Sequence, residues 1–165
     1  QEVGHALNTA RLAALGLLNC ELRCAEYVEE LPQLLSDSRW HSCLLFPGEQ
    51  SVAVGRFATE SAAKPLQLVV PDGTWRKVRK LLHLNPALAA LPRVTLASVS
   101  ASRYRVRKAA MPGALSTIEA IVQALEEVEG HGLFQPLLRP FEALIEGQIA
   151  AMGEATYQRN HSPCD

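Results

Sequence analysis

The chain has 165 residues and a mass of 18.0 kDa, which is room for one domain and too little for two separate cores. Its composition is 48% hydrophobic and 20% charged, with a mean hydropathy of +0.03, which excludes an intrinsically disordered chain. The net charge of -1 combines acidic flanks with a basic stretch over 72–108, where nine Lys and Arg stand against one Asp. That pattern favours one localised polyanion site over a generally cationic protein, unless neighbouring acids neutralise the stretch in the fold.

The predicted elements alternate between helices and short apolar strands. In chain order, we predict a helix over 8–18 capped by Asn8 or Thr9, a strand over 20–27, helical turns over 29–35, strands over 42–46 and 66–70, a helix over 74–84, a strand over 93–97, and helices over 116–128 and 134–152. Ser116 followed by Glu119 is a capping signal for the penultimate helix. The pattern predicts an α/β fold with a mainly parallel sheet flanked by helices, in one domain over 1–152 with a frayed tail over 153–165.

The sequence predicts neither a metal site nor a membrane-spanning helix. The cysteines (Cys20, Cys24, Cys43 and Cys164) form no C-x-x-C pair, which favours free thiols of a cytosolic protein over a zinc site or a disulfide. No apolar run reaches the ~18 residues of a membrane helix. No signal peptide opens the sequence, and the absence of a first methionine suggests a processed or trimmed chain. We therefore expect a cytoplasmic protein with no metal and no membrane contact.

The segment 66–84, which we predict to be a strand, a turn and a helix, contains the highest density of candidate functional residues. In open α/β sheets, ligands bind beyond the carboxyl ends of the strands, where Asp72, Gly73 and Thr74 would lie. Gly73 permits a close backbone approach, Thr74 can cap the following helix, and Asp72 can accept a proton or a hydrogen bond. The alternative is a plain capped turn. Nucleotide P-loops, G-x-S-x-G elbows and H-E-x-x-H helices do not occur in the sequence.

Two basic segments follow this turn. On the helix over 74–84, four cations lie opposite Trp75, Val78 and Leu81 and would face phosphates: Arg76, Lys77, Arg79 and Lys80. Over 102–108, an extended segment would place Arg103, Arg105 and Arg107 on one face and Tyr104 and Val106 on the other, with Lys108 at its end. Such a segment suits a nucleic-acid backbone and a stacked base, or else an edge strand protected by charge.

Five ordered blocks resemble the DTW-domain family, which is named for an Asp-x-Thr-Trp signature. They are Gly4-His5-Ala6-Leu7-Asn8-Thr9-Ala10-Arg11, Leu44-Leu45-Phe46-Pro47, Asp72-Gly73-Thr74-Trp75 with its basic helix, the SRYRVRK segment over 102–108, and Leu115-Ser116-Thr117-Ile118-Glu119-Ala120. The resemblance covers nearly the whole chain. The family also carries a cysteine-rich, zinc-binding segment ahead of the first block, which Cys20 and Cys24 do not replace, and Ala10 stands where many members have Gly.

The resemblance implies a SPOUT-like fold with a trefoil knot in the C-terminal half. It also implies transfer of the 3-amino-3-carboxypropyl group of S-adenosylmethionine to N3 of a tRNA uridine, with 5′-methylthioadenosine as the second product. Ten residues would bind the donor: Leu45, Phe46, Pro47, Asp72, Gly73, Thr74, Trp75, Leu115, Ser116 and Thr117. Asp72 would be the catalytic base.

The remaining assigned residues would contact tRNA: Asn8, Thr9, Arg11, Arg76, Lys77, Arg79, Lys80, Arg103, Tyr104, Arg105, Arg107 and Lys108. The first three could instead hold the donor carboxylate. Two alternatives stay open, the same transfer to ribosomal RNA and a non-catalytic RNA-binding module. SPOUT-like relatives are often dimers, and the last helix is the candidate dimer face.

Overall fold

The computed structural model describes residues 8–60, 63–106 and 114–153. Its helices are α1 (Thr9–Gly16), α2 (Leu31–Leu35), α3 (Val54–Glu60), α4 (Trp75–Leu84), α5 (Pro86–Ala89), α6 (Thr117–Glu129) and α7 (Arg139–Met152), with a 3-10 turn at Gln135–Leu138. Its strands are β1 (His41–Leu45), β2 (Val52–Ala53), β3 (Leu66–Val69) and β4 (Arg93–Thr95). No helix within these described ranges is long and apolar enough to cross a bilayer.

The chain divides into two compact units. The sheet unit comprises 22–97 and 127–130, and the helical unit comprises the described residues up to 21, those of 98–126 and those from 131 onward. Each unit is described by itself below. The single domain predicted over 1–152 stays a prediction, and residues 154–165 of the predicted tail lie outside the described ranges.

The sheet unit contains a four-stranded parallel sheet in the order β2-β4-β1-β3. His41 pairs with Leu66 at the start of the β1–β3 ladder, and Leu45 pairs with Val94 in the ladder to β4. All the strands run in one direction, so their carboxyl ends meet at one edge. The predicted parallel α/β architecture is confirmed.

Helices cover both faces of this sheet. On one face, the fully buried Leu44 of β1 packs with Val78 and Leu82 of α4 and Leu88 of α5. On the other face, the His41 ring meets the Phe57 ring of α3 edge-on at 4.7 Å. His41 and Leu44 are three positions apart in β1, so the alternation of side chains along a strand places them on opposite faces of the sheet. Ser42, Cys43 and Leu44 are all buried, as expected for a strand that is covered on both faces.

The core of the helical unit is formed by α6 and α7. Phe141, Ile145 and Ile149 of α7 are buried at the predicted helical spacing, and Leu144 between them stays 40% exposed. Ile118 and Val122 of α6 are fully buried. The helix predicted over 134–152 is therefore present from Arg139 onward, and its first turn is a 3-10 turn rather than the start of one helix. Pro136 and Pro140 explain this change because each lacks a backbone N–H and is favoured at the first helical positions.

Two local predictions are wrong, and three short elements were missed. Residues 20–27 form no strand and their side chains are exposed, so no neighbouring strand is there to satisfy their backbone. The segment 102–106 turns at Arg105 and Val106 instead of running extended, and the Arg105 N–H donates to the Arg103 carbonyl at 2.8 Å. The sequence analysis also missed β2, α3 and α5, each of which is at most seven residues long.

The cysteine environments predict a graded thiol reactivity. Burial raises the pKa of the Cys43 thiol to about 12, and desolvation raises the pKa of the Cys20 thiol, although Cys20 and Cys24 are both exposed residues. Because the thiolate is the reactive form, we expect that, of these three described cysteines, Cys20 and Cys24 are alkylated in native protein at pH 8 and Cys43 only after unfolding. Peptide mapping after brief iodoacetamide treatment measures this order, and native labelling of Cys43 would contradict its buried position.

Candidate functional site

The carboxyl edge of the sheet unit brings two of the predicted donor-binding loops together. The first loop, over 45–47, follows β1, and the second, over 72–75, follows β3, which is the next strand in the sheet. The Phe46 ring and the Trp75 ring lie 5.0 Å apart between centroids, tilted by 50°. Trp75 is 44% exposed. These side chains therefore present an open aromatic surface beyond the strand ends, where α/β sheets bind ligands.

Arg93 joins these loops although no sequence motif identified it. It is the first residue of β4, and its guanidinium carbon lies 5.7 Å from the centroid of the Phe46 ring, within range of a cation–π contact. Its Nη1 donates a long hydrogen bond of 3.5 Å to the Pro47 carbonyl. The register that pairs Arg93 with Leu44 places the side chain at the end of β1. The location of Arg93 beside the 45–47 loop depends on this strand pairing, which the sequence motifs did not indicate.

The turn into α4 adopts the conformation that its residues predicted. Gly73 has a φ of +138°, which other residues adopt only with strain. Thr74 is the N-cap of α4, and its hydroxyl accepts from the Lys77 N–H at 3.4 Å. Asp72 is exposed at this turn and has a polar partner within the structure. The Asp72 carboxylate and the N-terminus of α4 therefore both lie in the turn that follows β3.

The outer face of α4 carries the predicted basic surface. Val78 and Leu82 are buried, and all four cations of the helix are exposed: Arg76, Lys77, Arg79 and Lys80. The Lys80 ammonium donates to the Glu26 carboxylate at 2.6 Å, and this hydrogen bond lowers the pKa of Glu26. Lys80 is therefore paired with an acid of the same unit. The amphipathic division expected from the sequence is confirmed for Val78, which is buried, and for Leu81, which is half-buried, whereas Trp75 is 44% exposed.

In the helical unit, one buried carboxylate holds the third predicted loop. Glu119 is 3% exposed and accepts from the Ser116 N–H at 2.8 Å and from the Ser116 hydroxyl at 2.6 Å. It also accepts from the Ser102 hydroxyl at 2.9 Å and from the Arg103 N–H. Glu119 therefore fixes Ser116, between the half-buried Leu115 and Thr117, to the start of the arginine segment. The sequence signalled the capping contact but not the bonds to 102 and 103.

The arginine segment is engaged with α7. The Arg103 guanidinium pairs with Glu142 and donates to the Gln135 side chain, and the Arg105 guanidinium pairs with Glu146. Both arginine side chains are 49% exposed in these pairs. Tyr104 points inward, with its ring edge-on to Phe141 at 5.3 Å. Its assignment to base stacking stays a prediction, and Arg107 and Lys108 lie outside the described ranges.

The three residues predicted near the first block have separate roles in α1. Asn8 is the N-cap, and its side chain accepts from the Arg11 N–H at 2.9 Å. Thr9 is buried and Arg11 is exposed on the helix. Across the described residues, no group of three or more His, Cys, Asp or Glu side chains could hold a metal ion. Residues 45–47, 72–75 and the α4 cations thus share the sheet unit, whereas 8, 9, 11, 103–105 and 115–117 belong to the helical unit.

Sequence comparisons identify relatives of this chain. It is 36% identical over 107 residues to a Drosophila melanogaster protein named tRNA-uridine aminocarboxypropyltransferase 2, covering 64% of this chain and 42% of that protein. Proteins of the same name from Macaca fascicularis and Mus musculus are 27% and 29% identical over 72% and 73% of the chain. The chain spans about two fifths of the length of these curated relatives.

No solved structure matches the chain. The family model described as DTW domain matches residues 1–149, which is most of the sequence and includes all five blocks. The chain belongs to the DTW domain family.

Proposed function

We propose that this chain transfers the 3-amino-3-carboxypropyl group of S-adenosylmethionine to N3 of a tRNA uridine in the cytoplasm. The names of its relatives support a tRNA uridine as acceptor. The observation that carries the proposal is the meeting of the 45–47 and 72–75 loops at one sheet edge, with Phe46 and Trp75 5.0 Å apart. A parallel sheet flanked by helices also suits the SPOUT-like, knotted fold that we propose for the chain.

The reaction requires positioning and removal of one proton. The uridine N3 forms a bond to the carbon next to the sulfonium on the methionine side, and the bond from that carbon to sulfur breaks. The electron pair goes to sulfur, so the cationic donor leaves as neutral 5′-methylthioadenosine. The N3 proton needs an acceptor, and an exposed carboxylate at the strand end can take or orient it. Asp72 is the residue that we assign to this role.

The residues at the sheet edge suit the donor. An aromatic surface formed by Phe46 and Trp75 can contact adenosine, and the backbone at Gly73 allows a close approach. Leu45, Pro47, Asp72 and Thr74 belong to the same two loops, and we assign them to the donor. We also assign Leu115, Ser116 and Thr117 to the donor by the family signature. Holding the reacting atoms in line can supply a large part of the rate acceleration.

The experiment that tests the proposal uses S-adenosylmethionine labelled at the carboxyl carbon or at the methyl carbon, each with unmodified tRNA. Carboxyl label in tRNA, with the methyl label retained in methylthioadenosine, supports the proposed transfer. Methyl label in tRNA would make the chain a methyltransferase. Transfer of neither label, with tRNA still bound, would make it an RNA-binding module, and a parallel reaction with ribosomal RNA separates the two acceptors.

The acids of α7 should weaken RNA binding by occupying Arg103 and Arg105. Exposed ion pairs of this kind contribute about 0–1 kcal/mol, so phosphates can replace the carboxylates. The double variant Glu142→Gln and Glu146→Gln should therefore bind tRNA several-fold more tightly at low salt. Filter binding at several salt concentrations measures this, with the double variant Glu29→Gln and Glu129→Gln, two exposed acids outside α7, as the charge-matched control. Equal tightening in the control would assign the effect to net charge alone.

A further inference from the structure

Arg93 is a half-buried cation that has no acidic partner among the described residues. Its side chain contacts the Phe46 ring and the Pro47 carbonyl, and no described carboxylate lies within ion-pair distance of it. Other arginines with polar contacts in the structure, such as Arg39 and Arg56, pair with an Asp or a Glu. A guanidinium has five N–H donors, and the single long bond to Pro47 leaves nearly all of them available.

The neighbouring backbone is shaped around this side chain. A Cβ built on Gly48 would lie 2.7 Å from the Arg93 Cδ and 3.0 Å from its Nη1, closer than side-chain atoms pack. A residue larger than glycine at position 48 would therefore displace the guanidinium. The Phe46 ring centroid lies 5.7 Å from the guanidinium carbon, and this cation–π contact favours a position of the charged group over the ring. Arg93 is thus held at the sheet edge by an aromatic ring and a carbonyl oxygen, neither of which supplies a negative charge.

We propose that Arg93 binds an oxyanion of the substrate at the 45–47 loop. Its fork of donors matches a carboxylate or a phosphate, and both groups accept two parallel hydrogen bonds from an arginine. The inference rests on the proposed function, which offers two such groups, the carboxylate of the donor's amino-acid part and a phosphate of the acceptor RNA. The contacts of Arg93 with Phe46 and Pro47, which border the aromatic surface assigned to the donor, make the donor carboxylate the expected group.

Equilibrium binding to the whole chain tests the inference with two small ligands. S-adenosylmethionine carries the carboxylate, whereas methylthioadenosine lacks the whole amino-acid part. Arg93→Met should weaken S-adenosylmethionine binding about 10- to 100-fold, the usual loss for a charged hydrogen-bonded pair, and leave methylthioadenosine within twofold. Arg93→Lys should restore part of the affinity because it keeps the charge but loses the fork. Gly48→Ala, which keeps the arginine but displaces it, should weaken S-adenosylmethionine in the same selective way.

A second part of the experiment measures how the affinity for tRNA depends on salt concentration. If Arg93 binds a phosphate, Arg93→Met leaves both small ligands unchanged and lowers the slope of log affinity against log salt by about one. Arg56→Met, which removes an exposed arginine from α3, is the matched control in both arms. Unchanged S-adenosylmethionine affinity together with an unchanged salt slope overturns the inference. Failure of the unaltered chain to bind either S-adenosylmethionine or tRNA would overturn the proposed function itself, before any variant is compared.

Discussion

Replacing Asp72 with asparagine is expected to lower the rate of aminocarboxypropyl transfer about 10²- to 10⁴-fold, the usual contribution of a positioned acid–base group. The amide is nearly the same size as the carboxylate but cannot accept the N3 proton. Gly73 and Thr74 keep the turn and the helix cap, because the capping hydroxyl belongs to Thr74 and not to Asp72. Single-turnover transfer of carboxyl-labelled donor to tRNA, at saturating donor, measures the effect on the chemical step.

Two further measurements identify the cause of that loss. Donor and tRNA affinities of Asp72→Asn should stay within a few-fold of the parent chain, since the proton acceptor acts mainly in the transition state. Asp37→Asn is the control variant, because Asp37 is an aspartate of the sheet unit whose pKa is lowered to about 2 by hydrogen bonds from Arg39. A parent-like rate in Asp72→Asn would assign the proton to another acceptor. A loss of rate matched by a loss of donor affinity would make Asp72 a binding residue.

Replacing Glu119 with alanine should lower the free energy of unfolding by roughly 3 kcal/mol, because hydrogen bonds to a charged acceptor contribute more than neutral ones and buried donors would be left unpaired. The carboxylate is the shared acceptor for two backbone N–H groups and two hydroxyls, from Ser102, Arg103 and Ser116. Urea unfolding gives the global change. Native-state hydrogen exchange should also show faster exchange of the Arg103 and Ser116 amides.

Matched variants separate this role of Glu119 from a general effect of removing an acid. Glu129→Ala removes an exposed acid from the same helix and should change stability by less than about 0.5 kcal/mol. Glu119→Gln keeps one acceptor oxygen but turns the other into a donor facing donors, so its stability should lie between the parent and the alanine variant. Unchanged exchange at Arg103 and Ser116 in Glu119→Ala would show that other contacts hold the 115–117 loop.

The sequence predicted the elements whose periodicity is long or whose ends carry a chemical signal. Asn8, Thr74 and Ser116 each marked a helix start that the structure contains, and the apolar runs of β1 and β3 marked buried parallel strands. The two-residue strand β2 gave no such signal, because its formation depends on pairing with β4 rather than on its own residues. The predicted strand over 20–27 failed for the complementary reason, since no described strand pairs with this segment.

The sequence predicted those residues of the candidate site that follow a strand or belong to a family motif. Asp72, Gly73 and Thr74 follow a strand, so their location at the carboxyl edge was expected from the parallel sheet. Arg93 was not predictable, because its place beside Phe46 depends on the register between β4 and β1. The ion pairs of Arg103 with Glu142 and of Arg105 with Glu146 were likewise not predictable, because the acids lie about forty residues further along the chain.

The strand order has a consequence for how the polypeptide matures during synthesis. β4 is the last of the four strands to leave the ribosome, yet it occupies the position between β2 and β1. A nascent chain that has emerged from the ribosome only as far as Pro92 can pair β1 with β3. It leaves the other edge of β1 open and β2 without β4, its one neighbour in the sheet. Unpaired strand edges can pair with other chains, so translational pausing before β4 would expose this protein to aggregation. Once the chain has emerged beyond Thr95, β4 can insert between β2 and β1 and complete the sheet.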